Sequence, residues 1–99
     1  MEIKVNKTQG AVELIVQGRL DTTTSPQLET MVKEVSKEKV TLYMNLANVE
    51  YISSAGLRVV LLGQKMMMAA GGKMILRSPS EFCKQVFEAT GMDAILSFE

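Results

Sequence analysis

The spacing of apolar residues along the first third of the chain predicts two strands followed by a helix. Apolar and polar residues alternate over residues 2–7 and 11–18, and the turn-forming Thr8-Gln9-Gly10 lies between them, which predicts an antiparallel hairpin. After a polar break at residues 19–24, Ser25-Pro26 predicts the cap and the first residue of a helix. The apolar residues at i, i+3, i+4 and i+7 that form one face of this helix are Leu28, Met31, Val32 and Val35.

The rest of the chain alternates between strand patterns and helix patterns. The nearly continuous apolar run at residues 40–46 predicts a buried central strand, and residues 47–52 are expected to form a loop after it. A strongly helical pattern then extends from Ala55 to about Ala70 and ends at Gly71-Gly72. The next predicted elements are a strand at 73–77 and a helix that opens with a capping box at 78–81 and ends at Gly91. The apolar face of this helix consists of Phe82, Val86 and Phe87. The last predicted element is a short strand at 94–98.

The predicted order of elements is ββαβαβαβ. Strands that alternate with helices favour right-handed crossovers between parallel neighbours, so the N-terminal antiparallel hairpin should join a mixed sheet. A chain of 99 residues suits one compact domain. The expected fold class is therefore α/β, with a single domain over residues 1–99.

Composition excludes several kinds of chemistry. The chain has no histidine and one cysteine, Cys83, which excludes a Ser-His or Cys-His catalytic pair, a histidine-ligated metal and an internal disulfide. Its 11 basic and 11 acidic residues give a net charge of zero and form no basic patch, so we expect no nucleic-acid partner. No apolar run approaches the roughly 20 residues of a membrane span, and the N-terminus does not resemble a signal sequence. We expect a cytoplasmic protein that is not an enzyme, has no cofactor and does not insert into a membrane.

Two features of the predicted helices have both a structural and a functional interpretation. Cys83 falls inside a helical pattern, where a buried structural thiol is the simpler expectation. Met66-Met67-Met68 cannot all face the core, because successive helical residues point about 100° apart. At least one of these methionines should therefore reach the surface, either as adaptable packing or as part of a protein-binding face.

Ser53 and Ser54 lie at the start of the long helix, in the stretch "ISSAGLR". A serine here can cap the helix by accepting one of its free backbone N–H groups. The same helix N-terminus favours a phosphate, because unpaired N–H groups and the positive end of the helix dipole point towards it. Ala55 and Gly56 are small enough to leave room for a partner. The residues alone leave both interpretations open: a cap only, or a modified or bound serine.

Two stretches of the chain resemble a known family. "NLANVEYISSAGLRVVLL" (45–62) is similar to the signature of the STAS domain, which sulfate transporters share with anti-sigma factor antagonists. "GRLD" (18–21) resembles the second conserved block of that domain, and the predicted order of elements agrees as well. The resemblance covers nearly the whole chain and is greatest to the stand-alone bacterial anti-sigma factor antagonists.

The resemblance implies a partner-switching protein that is phosphorylated on serine. In the family, the phosphorylated serine lies two places before the helix glycine, which corresponds to Ser54 here. Many members have Asp where this chain has Ser53, so Ser53 is the less favoured acceptor. The unphosphorylated form of such proteins binds a serine kinase that is also the anti-sigma factor and so releases the sigma factor. A phosphatase of the PP2C type restores this form.

The resemblance also implies a partner-binding surface around this serine. Asp21 matches an acidic position near the phosphorylated serine. Its alternative role is structural, as a loop residue whose side chain accepts hydrogen bonds within the turn before the helix. Asn45 matches an Asp or Asn at the end of the central strand. Arg58, at i+4 from Ser54, either pairs with the phosphate or a partner carboxylate or is a solvated residue. The expected partner-binding residues are Asp21, Thr22, Thr23, Asn45, Ser53, Ser54, Ala55, Gly56 and Arg58.

Three other functions stay open at this point. The chain could be the STAS subunit of an ABC-type lipid transporter, which neighbouring genes would reveal. It could be a scaffold subunit that is never phosphorylated, which its oligomeric mass in a cell extract would reveal. Nucleotide binding at Ser53 and Ser54, where the strand region meets the long helix (the serine junction), is the weakest alternative. The chain contains no phosphate-binding loop motif.

Overall fold

The structure, a computed structural model, describes all of residues 1–99, and its elements follow the predicted order. The elements are β1 (Glu2–Thr8), β2 (Ala11–Leu20), α1 (Ser25–Val35), β3 (Thr41–Ile52), α2 (Ser54–Ala69), β4 (Lys73–Arg77), α3 (Glu81–Thr90) and a 3-10 turn (Met92–Ala94). No helix has both the length and the apolar character needed to cross a bilayer.

The four strands form one mixed sheet in the order β1-β2-β3-β4. β1 and β2 pair antiparallel, whereas β3 pairs parallel with both β2 and β4, so the predicted fold class is confirmed. The last predicted strand is present as a single parallel bridge between Phe98 and Leu76. The Leu76 N–H donates to the Ser97 carbonyl at 2.8 Å, and the Glu99 N–H donates to the Leu76 carbonyl at 3.0 Å. This element is shorter than residues 94–98 because the 3-10 turn takes up its beginning.

The core lies on one face of the sheet, where alternate strand residues meet the helices. Val12, Leu14 and Val16 of β2 are buried in a cluster of 20 residues to which all three helices contribute. The intervening positions carry Glu13 and other half-buried or exposed residues. The predicted central strand, β3, alternates in the same way: its buried residues face the core, and its opposite face carries polar side chains such as Asn45.

β3 is longer than predicted, and its extra length brings the two serines to the end of β2. Residues 47–52, expected as a loop, continue β3 and pair with residues 17–20 of β2. The register shifts twice along this pair, and these irregularities break the alternation of buried and exposed residues. The prediction of a loop was wrong because a bulged strand lacks the period-2 pattern by which strands are identified.

Two helices begin at different residues from those predicted. α1 starts at Ser25 itself, with Thr24 before it, and the buried Ser25 hydroxyl donates to the Asp21 carbonyl. α3 starts at Glu81 because Ser80, not Ser78, is its cap, and the Ser80 Oγ accepts from the Cys83 N–H at 3.2 Å. Both helices still begin near a serine and a proline. The sequence therefore predicted the two helix starts correctly but placed their caps at the wrong residues.

The side chains of α2 and α3 match most of what their patterns predict. Met67 is buried, Met66 is half-buried and Met68 is exposed, which confirms that at least one of the three methionines reaches the surface. Cys83 is buried in the core, in agreement with a structural thiol, and burial raises its pKa. Phe82 departs from the pattern, because it is exposed and does not belong to the core.

Candidate functional site

Ser53 is the residue that caps α2. Its backbone is extended, and its Oγ accepts from the Gly56 N–H at 3.4 Å. The Ser53 N–H donates to the Leu20 carbonyl at 2.9 Å, and the Ser53 carbonyl accepts from the Leu57 N–H at 2.9 Å. Ser53 therefore joins the last residue of β2 to the first turn of α2.

Ser54 has a different position and a free side chain. It is the first residue of α2, it is exposed, and its hydroxyl makes no hydrogen bond within the chain. Because Ser53 fulfils the capping role, the Ser54 hydroxyl is available to other molecules. It lies in the first turn of the helix, where backbone N–H groups have no partner within the helix and the dipole is positive.

Gly56 is required by the packing of the protein itself. A Cβ atom at this position would lie 2.8 Å from both the Cγ and the carbonyl oxygen of Leu20 and 2.9 Å from the Ile52 Cγ1. Gly56 is buried, so the expectation that its small size leaves room for a partner was wrong. Its small size allows α2 to start in direct contact with the end of β2. Ala55 beside it is half-buried, and Arg58 is exposed and forms no ion pair within the chain.

The loop after β2 is ordered by one carboxylate. The Asp21 Oδ1 accepts from the N–H groups of Thr23 at 3.0 Å and Thr24 at 3.2 Å, and from the Thr23 hydroxyl at 2.8 Å. These bonds lower the pKa of Asp21, and the Thr23 hydroxyl has the largest effect. Thr22 is exposed at the tip of the loop. Since Leu20 contacts Gly56, the structure places this loop beside the start of α2.

The lowered pKa of Asp21 predicts how this loop responds to acid. The folded protein favours the ionised carboxylate, so its contribution to stability is present above the ordinary pKa of 3.8 and is lost as the pH falls through the lower folded value. The variant Asp21→Asn keeps an oxygen acceptor but no charge. We expect it to melt at a lower temperature than the native chain near neutral pH, and this difference should disappear as the pH falls through the lowered folded pKa of Asp21. Melting temperatures measured at several pH values will test this, and a difference that is constant with pH would contradict it.

Asn45 belongs to a separate polar cluster on the sheet. Its Nδ2 donates to the Glu13 Oε2 at 3.2 Å, and its Oδ1 accepts from the Ala47 N–H at 3.0 Å. Arg77 contacts the same Glu13 oxygen at 3.2 Å. The Asn45 hydrogen bond is the largest of the effects that lower the pKa of Glu13. The expectation that Asn45 ends the central strand was wrong, because β3 continues to Ile52, and none of these contacts involves the serine junction.

Three residues that were not predicted as site residues form a series of contacts that starts at Asp21. The Arg19 Cζ lies 4.3 Å from the centroid of the Tyr51 ring, and its Nε is 3.8 Å from the Asp21 Oδ2. The Tyr51 and Phe82 rings pack at a tilt of 41°, with their centroids 5.6 Å apart. Arg19 and Tyr51 are paired residues of β2 and β3, in the part of β3 that the sequence predicted as a loop. Only recognition of the bulged strand would have placed them together.

Comparison with known proteins places these features in a family. The profile of the STAS domain matches residues 2–99. BtrV of Bordetella bronchiseptica, a candidate anti-sigma factor antagonist, is 32% identical over 96 residues, which cover 96% of this chain and 83% of BtrV. The anti-sigma-B factor antagonist of Bacillus subtilis is 25% identical over 96 residues, which cover 97% of this chain and 88% of that protein.

The fold is also shared with solved structures. The anti-sigma factor antagonist SpoIIAA in its unphosphorylated form superposes with a TM-score of 0.82 at 21% identity, over 99% of this chain and 88% of that chain. The phosphorylated form of SpoIIAA from Bacillus superposes with a TM-score of 0.77 at 21% identity, over 99% and 91% of the two chains. At this level of identity the likeness establishes the fold alone.

Proposed function

Because this chain belongs to the STAS domain family, we propose that it is an anti-sigma factor antagonist that changes partners when Ser54 is phosphorylated. In this proposal the unphosphorylated chain binds a serine-kinase anti-sigma factor in the cytoplasm. Phosphorylation by that kinase releases the complex, and a PP2C-type phosphatase reverses it. The chain itself acts by binding and not by catalysis. The names of its relatives in Bordetella and Bacillus, which it matches along most of their length, support this proposal.

The observation that carries the proposal is the division of roles between the two serines. The Ser53 Oγ accepts the Gly56 N–H, so modification of this oxygen would disturb the cap of α2. Ser54 is exposed, has no partner within the chain and can be modified without loss of the cap. A kinase can therefore reach Ser54 while the fold stays intact.

The position of Ser54 also suits a reversible charge switch. A phosphate here adds nearly two negative charges at the positive end of α2, where the free chain tolerates it well. When a partner covers the same surface, the phosphate has to be desolvated or placed against the partner's own charges, which weakens the complex. The phosphate thus stabilises the free chain relative to the complex, and no refolding of the domain is needed.

Mapping of phosphate on the chain from its native host tests the proposal. With phosphatases inhibited, trypsin should release residues 40–58 as one peptide, since no Lys or Arg lies between Lys39 and Arg58. We expect fragment ions that place phosphate on Ser54, loss of this phosphate in Ser54→Ala and its retention in Ser53→Ala. Phosphate on Ser53 alone would move the acceptor by one residue. A peptide that is never phosphorylated across growth conditions would overturn the switch and favour a transporter subunit or a scaffold.

A further inference from the structure

The serine junction continues into a strip of aromatic and charged side chains. The strip consists of Asp21, Arg19, Tyr51 and Phe82, each in contact with the next at the distances given above. Arg19 covers the Tyr51 ring, whereas Phe82 at the far end of the strip is 39% exposed. An aromatic ring exposed to this extent beside a candidate binding site is a typical anchor of protein interfaces.

An open cleft lies beside Phe82 and carries negative charge. Its volume is about 590 Å³, and its lining residues are Gln17, Gly18, Ala47, Asn48, Val49, Glu50, Ser80, Glu81 and Phe82. Glu50 and Glu81 are both exposed and form no ion pair within the chain. No Lys or Arg lines the cleft. The cleft therefore offers two free carboxylates and one aromatic ring to a partner.

We infer that this cleft is a second contact for the kinase that binds the serine junction, and that it receives a lysine or arginine side chain of the kinase. The inference rests on the proposed function. A cation packs well against an aromatic ring and is attracted to the two carboxylates at the same time. Tyr51 is already covered by the chain's own Arg19, so Phe82 is the ring that remains for the partner.

The size of a stable interface supports a second contact. Specific protein complexes bury about 800 Å² on each partner, through roughly 20 to 30 residues. The start of α2 and the loop after β2 provide only a small part of such a surface. The strip extends that surface without a gap from Asp21 to the cleft, on elements fixed by the sheet and by the Ser80 cap of α3.

The affinity of the purified chain for the purified kinase that phosphorylates Ser54 tests the inference. We expect Phe82→Ala to weaken binding at least tenfold. Phe98→Ala is the matched control, because Phe98 is 40% exposed and its ring packs at a tilt against Phe87 with a centroid distance of 6.0 Å, much like Phe82 against Tyr51. The control should bind within twofold of the native chain.

Two charge reversals on α3, one inside the cleft and one outside it, show whether an effect on binding is specific to the cleft. Glu81→Lys should weaken binding at least tenfold, whereas Glu88→Lys, which lies outside the cleft on the same helix, should not. Binding by Phe82→Ala and Glu81→Lys within twofold of the native chain, while Ser54→Asp loses affinity, would overturn the second contact and leave the proposed function standing. A native chain that binds no serine kinase would overturn both. Melting temperatures of all five variants identify any loss of binding that comes from unfolding.

Discussion

Replacing Gly56 with alanine is expected to lower the free energy of unfolding by about 2 to 3 kcal/mol, since an added methyl group would overpack the junction of β2 and α2. Its carbon would lie less than 3.0 Å from two atoms of Leu20 and one of Ile52. One of the Leu20 atoms is the carbonyl oxygen, which also accepts the Ser53 N–H at 2.9 Å. This oxygen cannot move away without loss of the bond that positions the serines.

Gly63→Ala on the same helix is the control for this substitution. A Cβ atom at Gly63 would meet the Met74 Sδ at 2.9 Å and no other atom closer than 3.5 Å. Methionine is flexible enough to move, and alanine gains about 1 kcal/mol of helix propensity over glycine in a helix interior such as position 63. Gly63→Ala should therefore change stability by less than about 1 kcal/mol. Urea unfolding curves of both variants measure the difference, and equal losses would show that the junction can relax.

The parts of the fold that rest on regular periodicity were predictable from the sequence. The β1-β2 hairpin, the apolar face of α1 and the long α2 each repeat a simple pattern over at least two turns or several alternations. A serine cap at the start of α2 was predictable too, because it needs only residue type and position next to a helix start, but only the structure shows that Ser53 is the cap. The resemblance then gave Ser54 as the expected phosphorylated serine, and the structure shows that the side chain of Ser54 is exposed.

The features that the sequence did not predict depend on contacts between distant segments of the chain. The second half of β3 forms only because residues 17–20 of β2 pair with it, and its register shifts hide the strand pattern. For the same reason Asn45 was expected at a strand end, and Arg19 and Tyr51 were not expected to meet. Gly56 was assigned to a partner, since a sequence cannot show that Leu20 already fills the adjacent space. Local patterns therefore predict most of the helices and strands, whereas the pairing of β2 with β3 determines which side chains meet at the surface of the site.

Ser54→Asp is expected to weaken binding to the serine-kinase anti-sigma factor about a hundredfold, a loss of about 3 kcal/mol. The aspartate introduces a permanent charge at an exposed position that the proposed interface covers. Ser54→Ala should bind nearly as well as the native chain and should not be phosphorylated. Isothermal titration with the purified kinase measures both affinities. Equal affinities for the two variants would contradict a switch based on charge.

Ser53→Asp is the control that makes this result specific to position. Aspartate is as good a cap as serine, so a carboxylate at residue 53 can accept the Gly56 N–H and direct its charge towards the helix. Residue 54 lies after the cap and is exposed, so a carboxylate there would be covered by the proposed partner. We therefore expect Ser53→Asp to keep native affinity within about threefold while Ser54→Asp loses it. If both aspartates weakened binding equally, net charge near α2 and not the exposed hydroxyl position would control the complex.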